Sequence, residues 1–439
     1  MADQTPFQVT EAFIYQEVKL PQSLPPSRRV DIRPAIVEIN LYEALNKPYT
    51  TGTVLIVDDF GYLNAFMPKG TERLKLIISK DGRSKIDRTF VIDSIQQINY
   101  ENEQRRILTL SICDESIYYS NLKTVEKAYT APLWVTMASI LKDYLGVTAL
   151  PFWSESRTND VDTKVIIPGM RPLRAVDWLR DRLTTSKGLP CFTYKRSGSG
   201  VVVITDLEQL LQQTAITSNT GPLQFTRVGR IIGEQNTLDI DNQVAQIYDA
   251  NLTNLQSNMA AAQHGGLSGV HTHIDTNNGT AKETEFSLRN VEISGQNIIN
   301  TDIFEYFSSD DREKPSHYDQ VSSSGTYIDE YGFYDPTDNS DIHRRTISKG
   351  INAAITRNSI KLIIPGALFL NEGNGVGDKI QVKFPTSRSG DEFAHRNPAD
   401  AWDKVLSGDY IASEIKHVFN IQTGHSAHVN MFKVMSYDE

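Results

Sequence analysis

Three groups of residues in this 439-residue chain have types and spacings that chemistry could use. His271-x-His273 with Asp275 gathers two imidazoles and a carboxylate within five positions, a donor set suited to a divalent metal. The two rings share a face only where the segment is a strand, and the Gly- and Asn-rich surroundings favour a solvated loop. Asp58-Asp59 could meet a cation, but a turn that ends a strand explains paired acids more simply. His417, His425 and His428 bracket the last expected hairpin and read as exposed or interface histidines rather than metal ligands.

Other chemistry needs patterns that the chain lacks. Glycoside hydrolysis requires two acids about 5–9.5 Å apart, one in an apolar pocket, and nothing selects such a pair from 54 acidic residues. There is no G-x-S-x-G, H-E-x-x-H, P-loop or G-x-G-x-x-G. Gly373, Gly375 and Gly377 precede a strand instead of a helix, so they do not form a phosphate cradle. Arg171, Arg174, Arg180 and Arg182 alternate with Asp177 and Asp181 on an expected helix, as surface ion pairs do. The sequence assigns no catalytic residue, no cofactor site and no metal site.

Composition narrows the classes further. A net charge of −10 argues against a protein that grips nucleic-acid phosphates, though like charge suits a surface that DNA slides past. No apolar run reaches about 20 residues, so no membrane helix is expected. The opening MADQTPFQVT has neither a basic region nor an apolar core, which reads as no signal peptide and synthesis in a cytoplasm. Cys113 and Cys191 lie in apolar runs and are expected to be buried free thiols. The length suggests two to three domains at roughly 150 residues each.

The elements that would position these residues are mostly strands. Val37, Ile39 and Leu41 alternate with Glu38, Asn40 and Tyr42, a half-buried strand over 37–45. Strands follow at 51–58, 74–79, 89–100 and 107–113, after an earlier one at 13–20 and an extended connection through Pro21, Pro25 and Pro26. Six strands with tight turns in about 110 residues indicate an antiparallel barrel or sandwich. Thr130-Ala131-Pro132 then reads as a helix start, with Leu133, Met137, Ile140, Leu141 and Tyr144 on one face and a stop at Gly146. A second helix begins at Pro172, a hairpin joins 191–194 to 201–205, and 206–212 is a short amphipathic segment.

From 251 to about 345 the chain is polar, rich in Asn, Ser, Thr and Gly, with long loops expected at 265–280 and 308–340. Sparse strands are expected there at 284–288 and 327–333. Regular strands return at 359–364, 379–384, 410–419 and 428–434, two of them entered through Gly377-Asp378 and Gly408-Asp409. Such an Asp can bond backbone amides at a strand start.

Three of these stretches resemble one family. The first is 37–78, ordered as strand, Tyr42-Glu43-Ala44-Leu45, turn, Gly52-Thr53-Val54 strand, Asp58-Asp59, loop, Gly70-Thr71-Glu72, strand. The second is the PLRAVDWL helix at 172–179, followed by CFTY at 191–194 and VVVITDL at 201–207. The third is NSIKLIIPG at 358–366, GDKIQVKFP at 377–385 and LSGDYIASEIKHVF at 406–419. Together they are similar to baseplate hub proteins of contractile-tailed bacteriophages.

The resemblance implies a mainly β fold with a few helices: two tube-like antiparallel β-barrel domains plus an insertion domain. The first barrel would be 1–116, with strands near 221–250 as candidates to complete it. The second would be 117–220 with 346–439, and 251–345 would be a polar insertion domain. It also implies a non-catalytic virion protein, assembled in the host cytoplasm as a homotrimer whose six barrels join a six-fold tail tube to a three-fold central spike. The partners would be tail tube proteins, the spike protein and other baseplate subunits, with DNA passing unbound and no cofactor. A tail-associated peptidoglycan hydrolase is the alternative from the enzyme class. A receptor- or carbohydrate-binding tail protein would use the aromatics of the insertion, Tyr318, Tyr327, Tyr331, Phe333 and Tyr334.

Overall fold

The structure is a computed structural model. It describes residues 6–16, 29–59, 61–62, 70, 72–80, 83–100, 105–153, 163–217, 221–224, 247–253, 268–275, 279–287, 292–293, 296–297, 319–324, 333–334, 340–355, 359–369, 373–384, 403 and 406–433. The expected connection through Pro21, Pro25 and Pro26, and the positions of Tyr318, Tyr327 and Tyr331, lie outside the described residues.

The N-terminal part supplies β1 (Gln8–Gln16), β2 (Arg29–Asp31), β3 (Ile36–Ala44), β4 (Thr51–Asp58), β5 (Glu72–Lys80), β6 (Arg83–Tyr100) and β7 (Arg106–Cys113). A mixed segment follows with α1 (Glu115–Leu122), β8 (Val125–Ala131), α2 (Leu133–Leu145), β9 (Ala149–Phe152), β10 (Thr163–Met170), α3 (Pro172–Arg180), β11 (Cys191–Lys195), β12 (Val202–Asp206) and α4 (Leu207–Gln212). Next come β13 (Leu223–Gln224) and β14 (Asp249–Thr253), then β15 (Ser268–Asp275), β16 (Thr280–Ser287), β17 (Glu292–Ile293), β18 (Gln296–Asn297), β19 (Asp319–Ser324), β20 (Phe333–Tyr334) and α5 (Ser340–Ile355). The chain returns to the main sheet with β21 (Ser359–Pro365), β22 (Lys379–Lys383), β23 (Gly408–Asn420) and β24 (Gly424–Phe432).

Thirteen strands form one sheet, in the order β14-β21-β24-β23-β3-β4-β7-β6-β5-β1-β2, with β22 on β23 and β13 on β22. This corrects the expected architecture. The fold is mainly β with a few helices, but among the described residues no sheet closes into a barrel, against the two tube-like barrels expected. The reason is how β3 uses its two edges. One edge pairs with β4, while the other pairs antiparallel with β23 from Glu414↔Ala44 to Asn420↔Glu38. The backbone groups that could have closed the N-terminal strands on themselves are bonded to the C-terminal strands instead. β13 and β14 join the same C-terminal side, through β22 and β21.

Strict alternation explains why each half of the sheet buries one face. In β4, Gly52, Val54, Ile56 and Asp58 point inward between half-exposed neighbours. The first core gathers Ile14, Ile39, Leu41, Val54, Leu76, Phe90 and Leu110. The second gathers Tyr194, Leu207, Ile351, Leu362, Ile380, Ile415 and Val429 from the C-terminal strands, α4, α5 and β11. The two cores exchange residues at the β3–β23 seam. Phe419 of β23 sits in the first core, while Leu45, just past β3, sits in the second. A third core holds Met137, Ile140, Val176 and Leu179 of α2 and α3 against Val165 and Ile204 of the small sheets.

α2 stops at Gly146, whose φ of 68° is a left-handed cap that glycine takes without strain. Pro132, not Thr130, is its N-cap residue. Three elements differ from the sequence reading of the polar region. β15 and β19 lie in stretches expected to be long loops, and α5 fills 340–355. Its sequence, SDIHRRTISKGINAAI, has too few apolar residues and an internal glycine, which hid the helical period.

Candidate functional site

The sequence candidates scatter across this fold. His271 and His273 do lie in a strand, β15, opposite Thr284 and Lys282 of β16. The side chains of His271, His273 and Asp275 lie outside what the structure describes; among the described residues no three His, Cys, Asp or Glu side chains gather as a metal site. Asp58 is buried at the end of β4, where it accepts from the Tyr62 amide at 2.5 Å and from Arg106 Nη2 at 2.8 Å. Asp59 faces Arg105 Nε at 3.4 Å, as a turn would have it. Arg180 joins Asp177 at 2.9 Å and Asp181 at 3.0 Å, and Arg182 covers the Trp178 ring at 4.0 Å. Cys113 and Cys191 are free thiols, the latter buried. Burial pushes the Cys113 thiol up to about 11 and the Cys191 thiol well above its ordinary value, so both stay protonated at neutral pH.

The histidines depart from expectation. His428 is exposed, but His417 and His425 are 2% and 0% exposed, the reverse of surface groups. They belong to a polar junction that the sequence reading did not isolate, built around Glu43. This carboxylate stands on the inward phase of β3, after Ile39 and Leu41, at 3% exposure. Its Oε1 accepts from the Ser197 amide and faces Nε2 of His417 at 3.3 Å. Its Oε2 accepts from the Val376 amide at 3.0 Å. Burial alone would push the Glu43 carboxyl up, but the His417 bond and the two amides outweigh it and hold the group below its ordinary value.

Two ion-paired clusters flank this centre. On one side Arg196 Nη2 meets Asp378 Oδ1 at 2.6 Å, and Asp378 Oδ2 accepts from the Gly375 amide at 2.7 Å. Arg196 also donates to the carbonyls of Val376 at 3.1 Å and Gly373 at 2.9 Å. The glycine-rich stretch 373–377 is therefore a strapped loop, in which the Gly375, Val376 and Gly377 amides already have acceptors. Burial raises Asp378 above its usual range despite Arg196. On the other side Asp114 holds Arg88 Nη2 at 2.5 Å, Lys195 Nζ at 2.9 Å and the Thr50 amide at 2.9 Å. Arg88 Nη1 donates onward to the Ser199 carbonyl at 2.8 Å.

The common object of both clusters is the turn 196–199 between β11 and β12. Ser197 in this turn is buried beside Glu43, and buried backbone groups must find partners. Glu43 accepts from the Ser197 amide, Arg88 donates to the Arg196, Ser197 and Ser199 carbonyls, and the Arg196 side chain reaches on to Asp378. Such an arrangement fastens the helical segment to both halves of the sheet. The Glu43 and Asp114 carboxylates are enclosed, and each is bonded on both oxygens.

One signal in the sequence could have found the centre. Glu43 continues the apolar phase of 37, 39 and 41, and His417 falls between Ile415 and Phe419. A charged or titratable side chain on a buried phase needs a partner.

No protein-family model matches the chain, and no curated protein matches it. Solved structures do. The 43 kDa tail protein of prophage MuSo2 from Shewanella oneidensis superposes with a TM-score of 0.54 at 9% identity, over 97% of this chain and 98% of that one. The tail protein from Neisseria meningitidis MC58 gives 0.49 at 10% identity, over 98% and 97%. At 9% identity the likeness to the MuSo2 protein is one of fold.

Proposed function

We propose that the chain is a structural subunit of a contractile phage tail, placed in the baseplate hub and acting by assembly instead of catalysis. The observation that carries this reading is the fold shared with the MuSo2 tail protein over nearly the whole of both chains. The buried junction supports it, because its charged groups tie the turn 196–199 to β3, to β6 and to the loop 373–378, a bracing role.

In this reading residues 1–116 form one lobe, 117–220 with 346–439 a second, and 251–345 an insertion that faces outward. Three chains close a ring of six lobes, which suits a six-fold tail tube on one face and a three-fold spike on the other. DNA passes through its centre without being held. Other baseplate subunits pack around the ring, and the protein resides in the virion tail.

Co-sedimentation of the purified protein with tail tube and spike proteins tests the placement, and a complex with both is expected. A peptidoglycan zymogram tests the absence of catalysis. Clearing by the purified chain would overturn the structural reading in favour of a hydrolase.

A further inference from the structure

The junction contains one feature that bracing alone does not require. His425 of β24 is fully buried, stacked on Phe419 with ring centroids 4.0 Å apart. Its Nε2 lies 3.4 Å from Nδ1 of His417, whose Nε2 faces Glu43 at 3.3 Å. Its other nitrogen, Nδ1, has no hydrogen-bond partner among the described residues. Gly366 closes that side so tightly that a Cβ there would lie 1.9 Å from His425 Nδ1.

With both rings neutral, the row Glu43–His417–His425 has one consistent arrangement of protons. His417 donates from Nε2 to the Glu43 carboxylate and accepts at Nδ1 from His425 Nε2–H. Nδ1 of His425 is then a bare lone pair, the cheapest group to leave without a partner. Adding one proton to the row creates an N–H where no acceptor stands, or sets two N–H groups against each other across 3.4 Å. The surrounding groups do not relieve this. Lys80 of β5 adds a further positive charge, Phe419 and Phe369 are apolar, and the Asp378 carboxylate is already paired with Arg196. Burial first, with Lys80 adding to it, holds His425 well below the ordinary histidine value.

We propose that the His417–His425 pair is a pH-sensitive latch: protonation on acidification parts the loops 196–199 and 373–378 from Glu43 while the sheet stays folded. The closed junction excludes the extra proton and the open one accepts it on His425 near the ordinary value of 6.5. The opening constant therefore rises about 25-fold between pH 7 and pH 5 by linkage. This inference is independent of the protein's placement in a tail.

Hydrogen exchange of the full chain, expressed as protection factors at pH 7 and pH 5, reads the latch directly. The Ser197 and Val376 amides are the reporters, and the Val54 and Leu110 amides within the sheet are the controls. The reporters are expected to lose about 25-fold in protection at pH 5 while the controls hold. In His425→Phe and His425→Gln, either of which removes the titrating ring, the loss is expected to vanish. No loss in the wild-type chain overturns the proposal. So does a loss shared by the controls, or one that persists in whichever variant folds.

Discussion

Glu43 and Val376 stand 333 positions apart, yet the Val376 amide donates to Glu43 Oε2 at 3.0 Å. The same carboxylate takes the Ser197 amide, 154 positions away, on its other oxygen. One side chain on β3 therefore ties the N-terminal strands to both later parts of the chain. Removing one partner from such a buried charged set leaves the rest uncompensated, at a cost of about 3–5 kcal/mol. Glu43→Ala is expected to destabilise by that amount, measured as a lower urea midpoint with an unchanged slope. A change below about 0.5 kcal/mol would show that the junction does not hold the halves together.

Asp114 should be the dominant member of the second cluster, since it satisfies Arg88, Lys195 and the Thr50 amide at once. Arg88→Met and Lys195→Met are expected to be non-additive in a double-mutant cycle, with a coupling of about 1–3 kcal/mol. Asp114→Asn should cost more than either, because it leaves two buried cations facing a neutral amide.

Stability should fall on the acid side. His425 is depressed in the folded protein, so its contribution is complete above the ordinary value of 6.5 and declines as pH drops below it. The slope from this one group is at most about 1.4 kcal/mol per pH unit. Glu43 is also depressed, and its contribution is lost at more acid pH, as pH falls through its native value below 4.5. Asp378 acts in the opposite sense. Its raised value means that it opposes folding as pH rises through the carboxylate range, which partly offsets Glu43 there. Urea unfolding between pH 4 and pH 8 checks the sign, and His425→Phe should flatten the part between 5 and 6.5.

Strand periodicity made much of this fold legible. The alternation over 37–45 and the runs at 51–58 and 107–113 correspond to β3, β4 and β7, because each buries one face. The partner of β3 was not legible. Its pairing with β23 joins residues 370 to 382 positions apart, and nothing local distinguishes that from a closure within the first 113 residues. Asp378 shows the same limit. The Gly377-Asp378 entry to β22 was visible, but the charge serves Arg196 and Gly375, not the strand start. His417 and His425 were misread as surface groups because they flank a turn. Only the fold reveals that the turn side of β23 and β24 packs beneath Gly366 and Phe369.

A channel that lets DNA pass must not retain it. A lining rich in cations would release counterions from a duplex carrying one charge per about 1.7 Å and bind it tightly at low salt. With a net charge of −10, the protein is expected to give no gel shift with duplex DNA even at about 50 mM salt. A salt-sensitive submicromolar complex would remove the channel from the account.

The central claim is assembly into a ring of three chains. Light scattering on the purified protein measures it most directly. A mass about three times the 49.3 kDa chain is the result the account predicts. A stable particle of six whole chains, or a monomer that stays single when tail tube and spike proteins are added, would contradict it.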